Sequence, residues 1–325
     1  MPFGTYPTPV EPLESLSRPG CALWVKRDDL TSPLYGGNKV RKLERLLDDA
    51  RARGAERVVT VGAVGSHHVL ATTVFARQVG LGVDAVLVPQ PRTSHVVDDL
   101  RADLAQGLHA LPASSYLHAA WRIVGQLVRR RRYFIPVGGS NLLGALGYVD
   151  AARELASQVR SGSMPEPDLA VVTLGSGGTV AGIAAGLALE GMKTRVLAVV
   201  VAEPPAIVAW TARRLAVRCV RHEGGAIGSR ALRERITVDR RWLGRGYGFA
   251  TPEGDQATEV ARGVGLTLDP TYTAKTFAAA LEAVAQATAP TILYWHTLSS
   301  ASMAPLLADA PREEDLAPGL TRLLL

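Results

Sequence analysis

The sequence predicts an α/β fold built on a mostly parallel sheet, and three observations predict it. Seven short, strongly apolar runs, at residues 23–25, 57–61, 83–88, 134–137, 169–174, 196–201 and 292–295, are separated by helix-length segments. That alternation is the signature of βαβ units. Thirty-two glycines supply tight turns near strand ends, and 325 residues with 47% apolar and 20% charged content can bury one large core or two smaller ones.

In chain order, the run at 23–25 leads into a helix whose apolar positions Leu43, Leu46, Leu47 and Ala50 recur at three- and four-residue spacing. The run at 57–61 is the next strand. Gly65-Ser66 then opens a helix reaching about Gln78, with Ser66 at the capping position and the first backbone N–H groups pointing ahead of it. The runs at 83–88 and 134–137 follow, then a long helix that ends at the linker Ser161-Gly162-Ser163-Met164-Pro165-Glu166-Pro167, a domain-scale turn. Strand 169–174 runs into a glycine-rich loop and a helix of small residues, and strands 196–201 and 292–295 complete the series. No internal repeat or low-complexity tract stands out.

Composition excludes several classes. Cys21 and Cys219 lie in unrelated contexts without a CxxC, so neither a disulfide scaffold nor a thiolate metal site is expected, and a reducing, cytoplasmic setting is. No basic stretch followed by an apolar one opens the chain, and no run approaches the ~18 apolar residues needed to cross a bilayer. The formal charge of +6 is spread along the sequence. Its one dense cluster, Arg129-Arg130-Arg131-Arg132, lacks interleaved aromatics and reads as a solvated helix end, so no nucleic-acid partner is expected.

Two local signals carry chemistry. The chain has 31 arginines and five lysines, yet keeps Lys39 beside a diglycine and an asparagine in Gly36-Gly37-Asn38-Lys39. An amine that forms and breaks a Schiff base cannot be replaced by a guanidinium, which stays protonated and is a poor nucleophile. Taken alone, Lys39 reads equally well as one more cation in a basic helix opening. The second signal is Gly175-Ser176-Gly177-Gly178-Thr179, where an apolar strand meets three glycines and two hydroxyls before a helix. Such a loop turns backbone N–H groups toward an anion. It lacks the spacing of GxGxxG and the lysine of GxxxxGK[ST], so a phosphorylated cofactor fits better than a nucleotide, although the loop alone also reads as a tight turn. Together the two signals point to pyridoxal 5'-phosphate.

With these residues the sequence resembles the family of D-cysteine desulfhydrase and 1-aminocyclopropane-1-carboxylate deaminase, pyridoxal-phosphate enzymes of fold type II, the tryptophan-synthase-β-like fold. The resemblance runs through Val25-Lys26-Arg27-Asp28-Asp29, 36–44, Pro136-Val137-Gly138-Gly139-Ser140-Asn141, 175–179, Gly244-Arg245-Gly246-Tyr247-Gly248, Leu268-Asp269-Pro270-Thr271-Tyr272-Thr273 and His296-Thr297. It implies Lys39 as the Schiff-base lysine, Gly175, Ser176, Gly177, Gly178 and Thr179 as the phosphate loop, Tyr247 and Tyr272 as active-site tyrosines, and Ser66 as the serine near the substrate carboxylate. Asn38, His67, Thr273 and Thr297 are expected against the cofactor, and Ser66, His67, His68, Tyr247 and Tyr272 against the substrate. It further implies a homodimer of two-domain subunits, with 1–44 and 141–325 forming a large cofactor-binding domain, 45–140 a small α/β domain, and the cofactor in the cleft between them.

The branch residues favour one reaction. The deaminase branch carries Glu after the second tyrosine and Leu after the late histidine, whereas this chain has Thr273 and Thr297. A hydroxyl facing a pyridine nitrogen donates a hydrogen bond without protonating it, which favours a β-substituent that leaves promptly. The expected activity is therefore that of a lyase, α,β-elimination from a D-amino acid such as D-cysteine, with Lys39 taking the α-proton. Three departures bear on the substrate: His67 stands where the family has Asn, Leu298-Ser299 replaces a diglycine, and Ala274 replaces Gly. A specialised lyase or β-replacement enzyme on another amino acid is the alternative, ahead of a 1-aminocyclopropane-1-carboxylate deaminase or an inactive scaffold. No metal is expected, since adjacent helical side chains such as His67 and His68 point about 100° apart and no third ligand stands at a recognisable spacing.

Overall fold

The computed structural model describes residues 2–325, and the chain divides into two compact units. The larger comprises Gly4–Lys42 and Ser140–Ser300; the smaller comprises Leu43–Gly139 and Ala301–Leu325 with the N-terminal residues through Phe3. Sequence reading puts 301–325 in the larger unit. They belong to the smaller one because their last residues bridge to the chain just past its strand 82–88: Gln90 N donates to Leu323 O (3.0 Å), and Leu325 N donates to Gln90 O (3.0 Å).

The larger unit is built on a six-stranded sheet ordered β1-β2-β10-β7-β8-β9. Its strands are β1 (Val10–Pro12), β2 (Ala22–Arg27), β7 (Leu169–Leu174), β8 (Arg195–Val200), β9 (Ile236–Asp239) and β10 (Thr291–His296). Only the β1–β2 pair is antiparallel. Helices cover both faces, which is why β7 and β10 are apolar along their length. On one face α5 (Leu142–Arg160), α6 (Gly178–Leu189) and α7 (Pro205–His222) pack Tyr148, Ile183 and Ala216 against Val172, Leu293 and Trp295. On the other, α9 (Pro252–Gly263) and α10 (Thr273–Ala285) pack Ala261 and Phe277 against Val171, Ile292 and Tyr294. Consecutive residues of β10 thus alternate between two cores, the period-two pattern of a strand.

The smaller unit carries an all-parallel sheet ordered β5-β4-β3-β6, made of β3 (Arg57–Ala63), β4 (Gly82–Val88), β5 (His109–Pro112) and β6 (Arg132–Phe134). Helices α2 (His67–Gln78), α3 (Ser94–Ala105) and α4 (Tyr116–Leu127) connect them. The division of the chain falls inside α1 (Lys39–Ala52), between Lys42 and Leu43. The strand expected at 134–137 lies earlier: Pro136 has no N–H for a ladder, and Gly138 and Gly139 turn the chain at φ 62°. No described helix is long and apolar enough to cross a membrane.

One buried ionic network fixes the start of α1. Asp28, at the end of β2, is fully buried and accepts from Arg41 Nη2 (2.8 Å) and Nε (3.1 Å), Thr8 Oγ1 (2.8 Å), Tyr148 Oη (2.8 Å) and Trp295 Nε1 (2.8 Å). Burial alone would raise its pKa. The Arg41 charge and hydrogen bonds, Lys26 and the Trp295 N–H together hold it down at about 2. Arg41 also reaches Glu154 (3.0 Å), which pairs with the buried Lys26. Removing one member leaves an uncompensated charge, so Arg41→Met should lower the unfolding free energy by about 3–5 kcal/mol in urea titration. An unchanged midpoint would show that the network is dispensable.

Candidate active site

Lys39 is the first residue of α1, and the loop before it is tied down by backbone. Gly37 N donates to Asp28 O (2.9 Å), and Asn38 N donates to Thr297 O (3.1 Å). Gly37 adopts φ 83°, and a Cβ there would stand 2.5 Å from Thr297 O, so only glycine fits. Gly36 N donates to Ser299 Oγ (2.7 Å), a bond that uses one of the side chains replacing the expected diglycine.

Lys39 Nζ donates to Asn38 Oδ1 (2.6 Å), and Asn38 Nδ2 donates to Thr179 Oγ1 (3.1 Å). The predicted lysine and the predicted phosphate loop are therefore bridged by a single asparagine. Burial lowers the Lys39 pKa to about 8, against the opposing pull of Asp269. The amine accordingly exchanges its proton near neutral pH, as a nucleophile or base must.

The loop ends in α6, whose N-cap Gly177 takes φ 95° and contributes no side-chain cap. Ser176 Oγ and Ser140 Oγ are 2.7 Å apart, and Gly178 N donates to Ser140 Oγ (3.0 Å). A Cβ on Gly178 would lie 2.6 Å from Ser140 Oγ and 3.0 Å from Lys42 Nζ, so a side chain would fill the cradle. Lys42, one turn after Lys39, is buried, with its pKa pushed well down by burial first and by Lys39 second. Sequence reading missed it because a second lysine on a basic helix carries no local signal. Here its amine stands beside Gly178 at the wall of the glycine loop.

Tyr247 and Tyr272 meet through their hydroxyls, ring centroids 5.7 Å apart at 76°. A Cβ on Gly175 would lie 3.8 Å from Tyr272 Cε1, which puts that ring beside the start of the loop. The buried Lys275 holds the Tyr247 segment by donating to Leu243 O (2.9 Å) and Gly246 O (3.3 Å). Asp269, also missed, gathers the start of α10: it accepts from Thr271 N (2.9 Å), Tyr272 N (2.6 Å) and Thr273 Oγ1 (2.7 Å). The Thr273 hydroxyl thus gives its proton to Asp269, which corrects the expectation that it donates to the cofactor. Thr297, by contrast, accepts from Asn38 N through its backbone carbonyl, so its side-chain hydroxyl takes no part in that bond.

Ser66, His67 and His68 belong to the smaller unit. Ser66 occupies the N-cap of α2 without making a side-chain cap bond, so its hydroxyl is not consumed by the helix. His68 Nε2 lies 2.9 Å from Thr60 Oγ1, and that hydroxyl gives its proton to Ile135 O (2.9 Å), so His68 carries the Nε2 proton. Being buried and bonded there, His68 packs into the interior rather than toward a substrate. His67 Nδ1 lies 3.3 Å from Asp99 Oδ2, and its Nε2 lies 3.1 Å from His95 Nε2.

The donor set of the larger unit fits pyridoxal phosphate. It combines an amine titrating near neutral pH, a glycine cradle at a helix N-terminus, a buried cation beside that cradle and two adjacent phenols.

Comparison with known proteins agrees. The profile described as "Pyridoxal-phosphate dependent enzyme" matches residues 2–297. The chain is 36% identical over 292 residues to a D-cysteine desulfhydrase of Yersinia enterocolitica, covering 85% of this chain and 86% of the relative. It is 34% identical over 322 residues to the nocardicin C-9' epimerase of Nocardia uniformis, covering 96% of each. A crystal structure of an ACC deaminase homologue superposes with a TM-score of 0.80 at 30% identity, over 94% of both chains.

The depressed Lys39 pKa has a pH signature. In the unfolded chain the amine keeps its proton up to about 10.5, whereas in the folded chain it is lost near 8. Between those values the unfolded state binds more protons, so stability rises with pH. For the cofactor-free protein, unfolding free energy should therefore increase by about 2–3 kcal/mol relative to Lys39→Met from pH 8 to 10.5. A flat difference in denaturant titrations across that range would refute the depressed pKa.

Proposed function

The chain belongs to the pyridoxal-phosphate dependent enzyme family, and from that premise we propose that it catalyses α,β-elimination from a small D-amino acid of the D-cysteine type. The observation that carries this reading is the cluster of Lys39, the phosphate loop and the Tyr247–Tyr272 hydroxyl pair. When bound, pyridoxal phosphate withdraws electrons from the substrate and acidifies its α-C–H. In this reading Gly175, Ser176, Gly177, Gly178, Thr179 and Lys42 hold the phosphate, and Lys39 anchors the cofactor. Thr297 offers a neutral hydroxyl.

The Lys39 amine, able to shed its proton near pH 8, takes the α-proton. The paired phenols hand a proton to the departing sulfur, and the larger unit keeps them aligned through Asp269 and Lys275. Elimination from D-cysteine followed by hydrolysis consumes one water and yields sulfide, pyruvate and ammonia. A neutral side chain at 297 supports a substrate with a good leaving group over a strained carbon ring. The desulfhydrase relative supports it as well.

A second reading, removal and return of an α-proton without elimination, is favoured by the match that spans 96% of both this chain and the nocardicin C-9' epimerase. Two adjacent phenols can deliver that proton as readily as they protonate a leaving group.

Incubating the holoprotein with each enantiomer of cysteine separates the readings. Release of sulfide and pyruvate in equal amounts from D-cysteine alone supports elimination. Solvent deuterium entering an amino acid that otherwise survives supports epimerisation. Tyr272→Phe should keep the yellow colour of bound cofactor while kcat falls by about 10²–10⁴-fold; Lys39→Ala should lose both. Undiminished turnover in Tyr272→Phe would remove that phenol from proton transfer.

A further inference from the structure

We propose that the smaller unit contains a divalent transition-metal site formed by His67, His95 and Asp99. Sequence reading rejected a metal because His67 and His68 are adjacent and no third ligand stands nearby. The fold supplies what spacing does not. His68 turns inward to Thr60, and His67, the first residue of α2, faces α3, where His95 and Asp99 stand one turn apart.

One ligand atom from each of the three residues lies within 4.8 Å of the others. His67 Nδ1 is 3.3 Å and His95 Nε2 3.4 Å from Asp99 Oδ2, and the two Nε2 atoms are 3.1 Å apart. Ligand pairs around a tetrahedral ion with bonds of about 2.0–2.1 Å are separated by about 3.3–3.4 Å, which the two distances to Asp99 Oδ2 match, while the third pair lies within 4.8 Å. His67 needs only to turn one of its two nitrogens toward it. The helix contributes rigidity: the turn at Gly65 is packed so closely on α3 that a Cβ there would lie 2.7 Å from Val96 Cα.

The chemistry of the donors selects the ion. Two imidazoles and one carboxylate suit Zn²⁺, Co²⁺ or Ni²⁺ rather than Ca²⁺ or Mg²⁺, which prefer all-oxygen sets. The Asp99 side chain is 0% exposed, whereas that of His95 is 37% exposed, so the cluster has a buried anionic floor and an open side. A divalent ion would neutralise the carboxylate, displace the protons now shared among the rings, and take water in its fourth position. Bound there, it would clamp the first turn of α2 to α3 and restrain Ser66, the residue next to His67.

The test is equilibrium dialysis of the holoenzyme against Zn²⁺ with elemental analysis, and titration with Co²⁺ followed by visible absorption. We expect one ion per chain, a four-coordinate Co²⁺ spectrum and a raised thermal midpoint with Zn²⁺. His95→Ala, at a position open enough to tolerate truncation, should weaken binding by about 100-fold or more, and Asp99→Asn should do the same. His109→Ala, which removes a histidine paired with Asp84 instead, should change nothing. Binding that fails to saturate at one ion, or that survives His95→Ala, would overturn the site. These outcomes are independent of which reaction the larger unit catalyses.

Discussion

The structure of the larger unit depends on the buried carboxylate of Asp28. Five donor contacts converge on it, from a strand-end neighbourhood, from α1, from α5 and from β10. Such a charge is tolerable in a dry interior only with an opposite charge and full hydrogen bonding, and Arg41 supplies both. Arg41 follows Lys39 by two residues, so the same bonds that neutralise Asp28 fix where α1 begins. Sliding or rotating the first turn would strand a fully buried anion. The Lys39 amine therefore inherits its position from an electrostatic requirement two residues away, with the loop to Asp28 O and Thr297 O as a second restraint.

The same economy explains why two buried lysines face one loop. Lys39 and Lys42 both have their pKa values lowered chiefly by burial, and the Lys39 charge lowers that of Lys42 further. Burial of two amines is unfavourable to their charged forms. An anion at the N-terminus of α6 reverses the sign: it attracts the Lys42 charge and the helix dipole together. Buried amines, a glycine turn at φ 95° and a helix start without a side chain at its N-cap are thus one feature seen from three sides.

Much of this was legible in the sequence, and the illegible parts share a cause. Strands buried on both faces announce themselves as apolar runs, so β2, β3, β4, β7, β8 and β10 were found. The edge strands β1, β5 and β9 were not, because an edge needs few apolar residues and tolerates Pro12 and His109. In the site, Lys39 and 175–179 carry signals in consecutive residues. Asp269, Lys275 and Lys42 do not: what they do depends on partners brought near by folding. The His67 cluster failed for the same reason, since His95 and Asp99 reach it from a different helix.

The departures from the family pattern bear on whether this chain still works. A degenerating scaffold loses contacts where substitutions fall, and Ser299 gains one: its hydroxyl accepts from Gly36 N in the loop that carries Lys39. Leu298 is buried with it rather than left to solvent. Gly37 is meanwhile held to glycine by its 2.5 Å approach to Thr297 O, a constraint that only this loop arrangement imposes. The replaced diglycine has thus been absorbed into the support of the lysine, with Asn38 still bridging amine and cradle. The loop that carries Lys39 thus keeps its backbone ties to Asp28 and Thr297 and gains the Ser299 side chain as a further support.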